Sequence, residues 1–411
     1  MSTELIKRSA FTIGALLVYW LGLNIPLPGI DAAAWTAIFD MQAGGLLRQM
    51  DALSGGALRR LSIISLSITP YVTTAIILQL LAMVSRRLRA LGDSERGRII
   101  LERSTLAITA LLALLQTYGI AIGLEGTGTV VPEPGPLFRL TTMLTLTAGT
   151  LFLAWLAGQI TARGIGNGIA LILAAAIVNT LPSGIARLLE LARQGVMAPA
   201  AVLMVVLVIA ALVALVVVAE RSRRRLTAEF AERQVGTQTL PRQSVDIALK
   251  LNPAGLMPSY LALMALGVVL IVAVFVGLLV GASEWPDRLT GALSPGTLLH
   301  LAVTAAFIAF FTLLYTAFVC DPEQMAARLA ACGGVLPGIA PGEATAAHLD
   351  RAISRSAAIG AAYLVIVMIA PDLVNMFLRL PIMPGGTSIL VLVCVFLDLA
   401  AEIRTYAAQP E

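Results

Sequence analysis

Residues Gly44 to Met83 read GGLLRQMDALSGGALRRLSIISLSITPYVTTAIILQLLAM. The stretch joins a short apolar segment to a glycine hinge and then to a long apolar run. A helix needs roughly 20 apolar residues to cross a bilayer. Leu46 to Leu53 is far shorter, carries Arg48 and Asp51, and is bracketed by Gly44-Gly45 and Ser54-Gly55-Gly56. Irregular backbone at membrane depth is tolerated only where protein or a water-filled cavity surrounds it. After Arg59-Arg60, Leu61 to Val84 is long enough to span, with Pro70 interrupting it near the middle. A half-inserted segment beside a broken helix points to a pathway through the protein. The competing reading makes residues 41–60 a loop on the membrane surface.

The totals place the whole chain in lipid. Of 411 residues, 58% are hydrophobic and 13% charged, and mean hydropathy is +0.89. Soluble domains are about 25% charged. The apolar runs are continuous rather than alternating, which argues against a lipid-facing β-barrel. No small-residue cleavage site follows Phe11–Leu23, so that run is expected to be a retained first helix. Cys320, Cys332, Cys394, His300 and His348 show no metal-ligand spacing, and no metal or cofactor is expected.

Ten spans are expected, at about Ser9–Leu23, Leu61–Val84, Leu101–Leu124, Leu140–Ile160, Ile169–Leu189, Ala198–Ala219, Leu256–Val280, Leu298–Val319, Ala357–Ala370 and Thr387–Leu399. Cytoplasmic loops collect Lys and Arg. With the N-terminus inside, the basic residues divide 20 inside to 8 outside. An even number of spans keeps every basic cluster on one side and both termini in the cytoplasm.

Two inside loops are too long to be turns. Glu220 to about Pro253 is basic, with Arg221, Arg224 and Arg225 near its start, and reads as two extended arms around a tip near Val235–Pro241. Cys320 to Ser356 contains VLPGIAPGEATAAHLDR, whose Pro337, Gly338, Pro341 and Gly342 set a rigid turn. Thr345 is placed to start the next helix. Such loops either hold topology or dock a cytosolic partner, and their length favours docking. GIGNGIA (Gly164–Ala170), NPAGLMP (Asn252–Pro258) and PGGTS (Pro384–Ser388) each open a span, as sites of close packing or helix starts.

Catalytic marks are missing. There is no H-E-x-x-H and no phosphate-cradling glycine loop, and neither histidine suits a serine hydrolase. Coupled transporters keep ionisable residues in their spans. The spans expected here are almost free of them, with Asp398 and Glu402 at the inner end of the tenth. The chain reads as a passage rather than an enzyme.

From about Leu5 to Tyr406 the chain resembles the SecY family, the channel subunit of the protein-export translocon. The resemblance rests on IPLPGID (Ile25–Asp31), SGGAL, ITPY, RGIGNGI, the Glu220-Arg221 pair, LKLNPAG, FFTLLYTAFVCDPEQMA, GGVLPGIAPGE and GGTS, in order. It implies an all-α polytopic membrane protein. Ten transmembrane helices would form two pseudo-symmetric halves, 1–195 and 196–411, around a central pore with a re-entrant plug. The plug corresponds to about residues 44–58, with Leu46, Leu47, Met50, Leu53, Ser54, Gly55 and Gly56 carrying it. Its apolar constriction ring maps to Ile68, Val72, Leu173, Tyr260 and Val391, which would seal against ions by dewetting. Tyr260 departs from the usual aliphatic residue. Gln79 and Gln116 match polar positions of the lateral gate.

The resemblance also implies partners: SecE-like and SecG-like small membrane subunits, the motor ATPase SecA or the ribosome, unfolded preprotein clients and the bacterial cytoplasmic membrane, with no direct nucleic-acid binding. The docking turn Gly338-Ile339-Ala340-Pro341-Gly342-Glu343 carries Ala340 where the family has an arginine. The hairpin tip carries Thr237 and Gln238 where the family has an arginine pair, and no basic tail follows Tyr406. Each loss removes a charge-assisted donor. A divergent paralogue therefore stays open, as do two rivals, a small-molecule secondary transporter and a non-conducting scaffold.

Overall fold

The structure, a computed structural model, describes residues 3–42, 51, 54–195, 197–230, 233–235, 238–240, 243–280, 284–294, 296–378 and 385–408. It divides into two compact units. The first is Met1–Val196 with Val395–Glu411, and the second is Met197–Cys394.

The first unit holds α1 (Thr3–Leu23), α2 (Ala32–Gln42), α3 (Ala57–Arg60), α4 (Thr69–Val84), α5 (Arg86–Asp93), α6 (Glu95–Gly126), α7 (Pro136–Arg163) and α8 (Gly168–Arg193). Helix starts follow capping chemistry. Ser94 accepts from Gly97 N at α6, and Asn167 of the GIGNGIA stretch accepts from Ile169 N and Ala170 N at α8. At Gly168 a Cβ would collide with the Ala157 carbonyl, so glycine is what lets α7 and α8 meet there.

The second unit holds α9 (Pro199–Arg221), the strands β1 (Arg223–Phe230), β2 (Arg233–Val235), β3 (Gln238–Leu240) and β4 (Gln243–Lys250), then α10 (Met257–Val280), α11 (Glu284–Ala292), α12 (Leu298–Val319), α13 (Pro322–Ala331), β5 (Gly334–Val335), α14 (Glu343–Leu378) and the start of α15 (Gly386–Ala408). The described strands lie in the two long loops. Most of the other described residues are helical.

Eight described helices are long and apolar enough to cross a membrane, and Thr69–Ala82 and Met257–Leu270 are shorter apolar helices. Eight plus two is consistent with the ten expected. Exposed apolar faces such as Leu203, Val206 and Leu207 on α9 suit a lipid surround. The chain is a multi-pass membrane protein.

One expected span is corrected. Leu61–Ile68 is not helix. It is a run of turns, and α4 begins only at Thr69. Leu61 and Ser67 adopt left-handed backbone, with φ of 44° and 56°. Pro70 therefore sits in the first turn of α4, where its missing N–H costs nothing, rather than mid-span. The turn segment finds backbone partners in the IPLPGID stretch. Leu27 N donates to Leu61 O at 2.8 Å and Ile63 N to Ile25 O at 3.0 Å. Leu27, Leu61, Leu124, Val131, Phe138 and Leu146 close a core over this junction, with Trp35 packed against it.

A second correction concerns the ninth span. Helix α14 runs to Leu378 rather than ending near Ala370, so Asp372 lies within it.

Candidate functional site

The glycine hinge ends in a built clamp. Gly55 and Gly56 both take left-handed backbone, with φ of 76° and 80°, a region glycine enters at no steric cost. The Gly55 carbonyl accepts from Asn179 Nδ2 on α8 at 2.8 Å, and the Tyr19 hydroxyl on α1 donates to Ser54 O at 3.4 Å. A Cβ at Gly55 would lie 2.9 Å from the Tyr19 oxygen and 3.0 Å from Ala176 Cα. The segment is thus pressed against two helices, with the side chain omitted where contact is tightest.

Asp51 and Ser54 organise the turn from within. Ser54 Oγ donates to Asp51 O at 2.9 Å and accepts from Leu58 N at 3.2 Å, while Asp51 Oδ1 accepts from Arg59 N at 2.8 Å. Burial pushes the Asp51 carboxyl above its usual range. The bonds from Arg59 N and Leu58 N and the charges of Arg59 and Arg60 pull the other way without cancelling it. Outward, Arg59 pairs with Asp40 at 2.7 Å, Arg60 donates to Asn24 Oδ1 at 2.6 Å, and Trp35 Nε1 donates to Leu58 O at 3.0 Å. Of the expected plug residues, Ser54, Gly55 and Gly56 belong to this clamp. Leu46, Leu47, Met50 and Leu53 lie outside the described residues.

The expected ring residues divide between the units. Ile68 is fully buried immediately before α4, Val72 follows one turn on with its N–H bonded to Ile68 O at 3.1 Å, and Leu173 is buried near the start of α8. In the second unit, Val391 is buried on α15, and Tyr260, in the first turn of α10, has a buried hydroxyl without a hydrogen-bond partner among the described residues. The expected gate residues Gln79 and Gln116 are exposed on α4 and α6.

The two long loops form one platform. β1 pairs with β4 in antiparallel register from Arg223↔Lys250 to Phe230↔Gln243, so the expected arms are strands. β5 of the second loop then adds to the free edge of β1, giving the order β4-β1-β5. Ala228, Leu329, Leu336 and Ile339 form an apolar cluster beneath it. The expected docking turn is held by left-handed Gly338 and Gly342, with φ of 75° and 97°. Helix α14 begins at Glu343, two residues before the expected Thr345, whose hydroxyl donates back to Ala340 O at 2.9 Å. Ala340, Pro341, Gly342 and Glu343 are exposed, as is Arg221 at the end of α9. Arg224 and Arg225 lie opposite Leu249 and Ala248, and Gln238 opposite Val235. Thr237 lies outside the described residues.

Sequence reasoning missed three constellations. Glu220 Oε1 accepts from Asn252 Nδ2 at 3.1 Å and from the Tyr363 hydroxyl at 3.3 Å, tying the root of the hairpin to α14. Two of these three stand in quoted motifs, but Tyr363 is 143 positions from Glu220. Asn179 and Tyr19 carried no motif at all. His300 Nδ1 lies 2.9 Å from Leu293 O, which only accepts, so this nitrogen carries the proton. Its Nε2 faces Asp372 Oδ2 at 4.0 Å.

A family model described as SecY matches residues 62–400. The protein translocase subunit SecY of Escherichia coli (strain K12) is 38% identical over 408 residues, covering 98% of this chain and 91% of the relative. A solved structure described as "The structure of a protein conducting channel" superposes with a TM-score of 0.69 at 17% identity, covering 99% of this chain and 94% of the other. Another, described as "The plug domain of the SecY protein stablizes the closed state of the translocation channel and maintains a membrane seal", superposes with a TM-score of 0.68 at 19% identity over 99% and 94%. The motifs thus continue as 38% identity over nearly the full length, and the clamp and platform sit on a backbone of the same fold. This chain belongs to the SecY family.

Proposed function

We propose that this chain is the central protein-conducting subunit of a Sec translocon, passing unfolded preproteins across the bacterial cytoplasmic membrane and releasing hydrophobic segments into lipid. A 38% identity to a translocase subunit over nearly the full length supports it. The observation that carries it is the clamp at Ser54-Gly55. It fastens Ser54-Gly55 to α1 and α8 through one good hydrogen bond, one long one and close packing. Contacts of that number and strength are worth a few kcal/mol at most, so the segment is held firmly enough to rest in place and loosely enough to leave.

In this reading residues 44–58 are the plug. Ile68, Val72, Leu173, Tyr260 and Val391 line the constriction, and Gln79 and Gln116 weaken the lateral gate. SecE-like and SecG-like subunits accompany the chain, with both termini in the cytoplasm. The platform receives SecA or the ribosome, on a turn where Ala340 supplies no charge. The chain performs no chemistry of its own; the driver is supplied by the partner.

The test is protease protection of a signal-bearing preprotein in proteoliposomes holding the chain and its small partner, with and without SecA and ATP. ATP-dependent protection is expected, and stronger protection with Ala340→Arg. No protection with either form, by SecA or by ribosomes, would overturn the channel reading in favour of a scaffold.

A further inference from the structure

We propose that the face of α14 carrying His348, Arg351 and Arg355 binds the phosphate of an anionic phospholipid headgroup. These three side chains and Ala352 line a shallow cavity of about 60 Å³. That is room for roughly two waters' share of liquid volume. Positions 348, 351 and 355 stand three and four residues apart, so they lie on one helix face. Ala352 is the small, buried floor between them.

The three groups are not consumed by the fold. Arg351 Nε donates to Ala347 O at 3.2 Å. Among the described residues, neither Arg355, His348 nor the terminal nitrogens of Arg351 have an acidic partner. The opposite face of α14, through Leu349 and Ile353, packs on Ala326 of α13. The basic face therefore points away from the apolar contact of α14 with α13. Asp350, the acidic residue next to Arg351, is about 100° around the helix from it.

What continues the face decides between a lipid and a protein partner. One turn beyond Arg355 comes Ile359 and two turns further Ile366, each 53% exposed. In a spanning helix such an apolar face meets acyl chains. Arg355 then lies about 6 Å beyond the first exposed isoleucine, at the depth of the headgroups. Long basic side chains at that depth reach for phosphate. Two arginines offer planar, bidentate donors to its oxygens. This inference rests on α14 spanning the membrane and not on translocation.

The experiment is native mass spectrometry of the full chain released from vesicles of phosphatidylcholine with or without phosphatidylglycerol. The chain is expected to retain phosphatidylglycerol selectively. The double variant R351Q/R355Q should weaken retention roughly 30-fold, from the loss of two charges near an anionic surface. R351K/R355K, which keeps both charges, should hold most of it and shows that packing was not the cause. Unchanged retention in R351Q/R355Q would overturn the proposal. So would displacement of the lipid by glycerol phosphate in molar parity, which would make the cavity a free-anion site. Intact lipid retention combined with weakened SecA or ribosome binding would reassign the face to a protein. Retention is read without any preprotein, so failure of the channel reading leaves this result distinguishable.

Discussion

Asn179 reaches the carbonyl of Gly55 at 2.8 Å from 124 positions further along the chain. This bond anchors the segment after the glycine hinge to α8, and Tyr19 braces the same residue pair from α1. Gly55→Ala attacks the arrangement twice. The left-handed backbone at φ 76° disfavours a Cβ, and the new atom would press on Tyr19 and Ala176. The seated conformation should lose roughly 1–2 kcal/mol, a factor of 5 to 30 in population. Ion conductance of reconstituted vesicles should rise accordingly, whereas Asn179→Ala should give a smaller rise, near 1 kcal/mol. Tight vesicles with Gly55→Ala would refute the clamp's role.

In the proposed plug reading, Asp51 makes seating depend on pH. Burial raises its carboxyl in the seated turn, while in the released segment it returns to the ordinary range. The seated state therefore binds more protons between the two values. Seating is strongest below the ordinary aspartate range, weakens as pH rises through the raised value, and is constant above it. Asp51→Asn keeps an oxygen for Arg59 N and removes the titration. Leak measured against pH should slope upward for the natural chain and lie flat for the variant; parallel curves would exclude Asp51 as the source.

The carboxylate of Glu220 gathers the hairpin root and α14 through Asn252 and Tyr363. Asn252 is almost wholly buried, and its Nδ2 also donates to Gly255 O at 3.0 Å. Asn252→Ala strands two acceptors and should cost about 1–3 kcal/mol. Tyr363→Phe removes one long bond and should cost less. Thermal unfolding of the purified chain in detergent would rank them; a larger loss for Tyr363→Phe would contradict the geometry.

Gly149 of α7 has no space for a side chain, because a Cβ would collide with the Ile63 carbonyl and lie 3.3 Å from the Ile64 side chain. Backbone cannot yield as a flexible side chain does. Gly149→Ala should therefore cost about 3 kcal/mol, the upper end for overpacking, and reduce the yield of folded protein. An unaltered unfolding midpoint would mean that the turn segment Leu61–Ile68 moves aside freely.

The long apolar helices were legible because apolar length is what a bilayer demands, and hydropathy counts it directly. The start of α4 was not. Leu61–Ile68 is as apolar as a helix, and apolar content says nothing about where backbone bonds go. The signal present was Pro70, which marks a first turn as readily as a break. Ser62, Ser65 and Ser67, alternating with aliphatics, also fit a helix less well. Gly55 stood out by its glycine pair, but its partners Tyr19 and Asn179 are single residues on distant helices, and such pairings leave no local pattern. The two long loops read correctly as extended and turned. Their union through β5 depends on a two-residue strand, too short to announce itself.

That union has a mechanical consequence. β1 is hydrogen-bonded on both edges, to β4 along its length and to β5 at Glu229↔Val335 and Phe230↔Gly334. A load applied at the tip, where Val235 faces Gln238, is carried by β1 and leaves by two routes. One descends to Arg223 and α9. The other crosses at Phe230 into the second loop and reaches the base of the 36-residue helix α14. Antiparallel strands pulled lengthwise share the load among several bonds at once. The hairpin is thus a lever with two fulcrums, and whatever pushes on its end also tugs a helix that begins more than a hundred residues later.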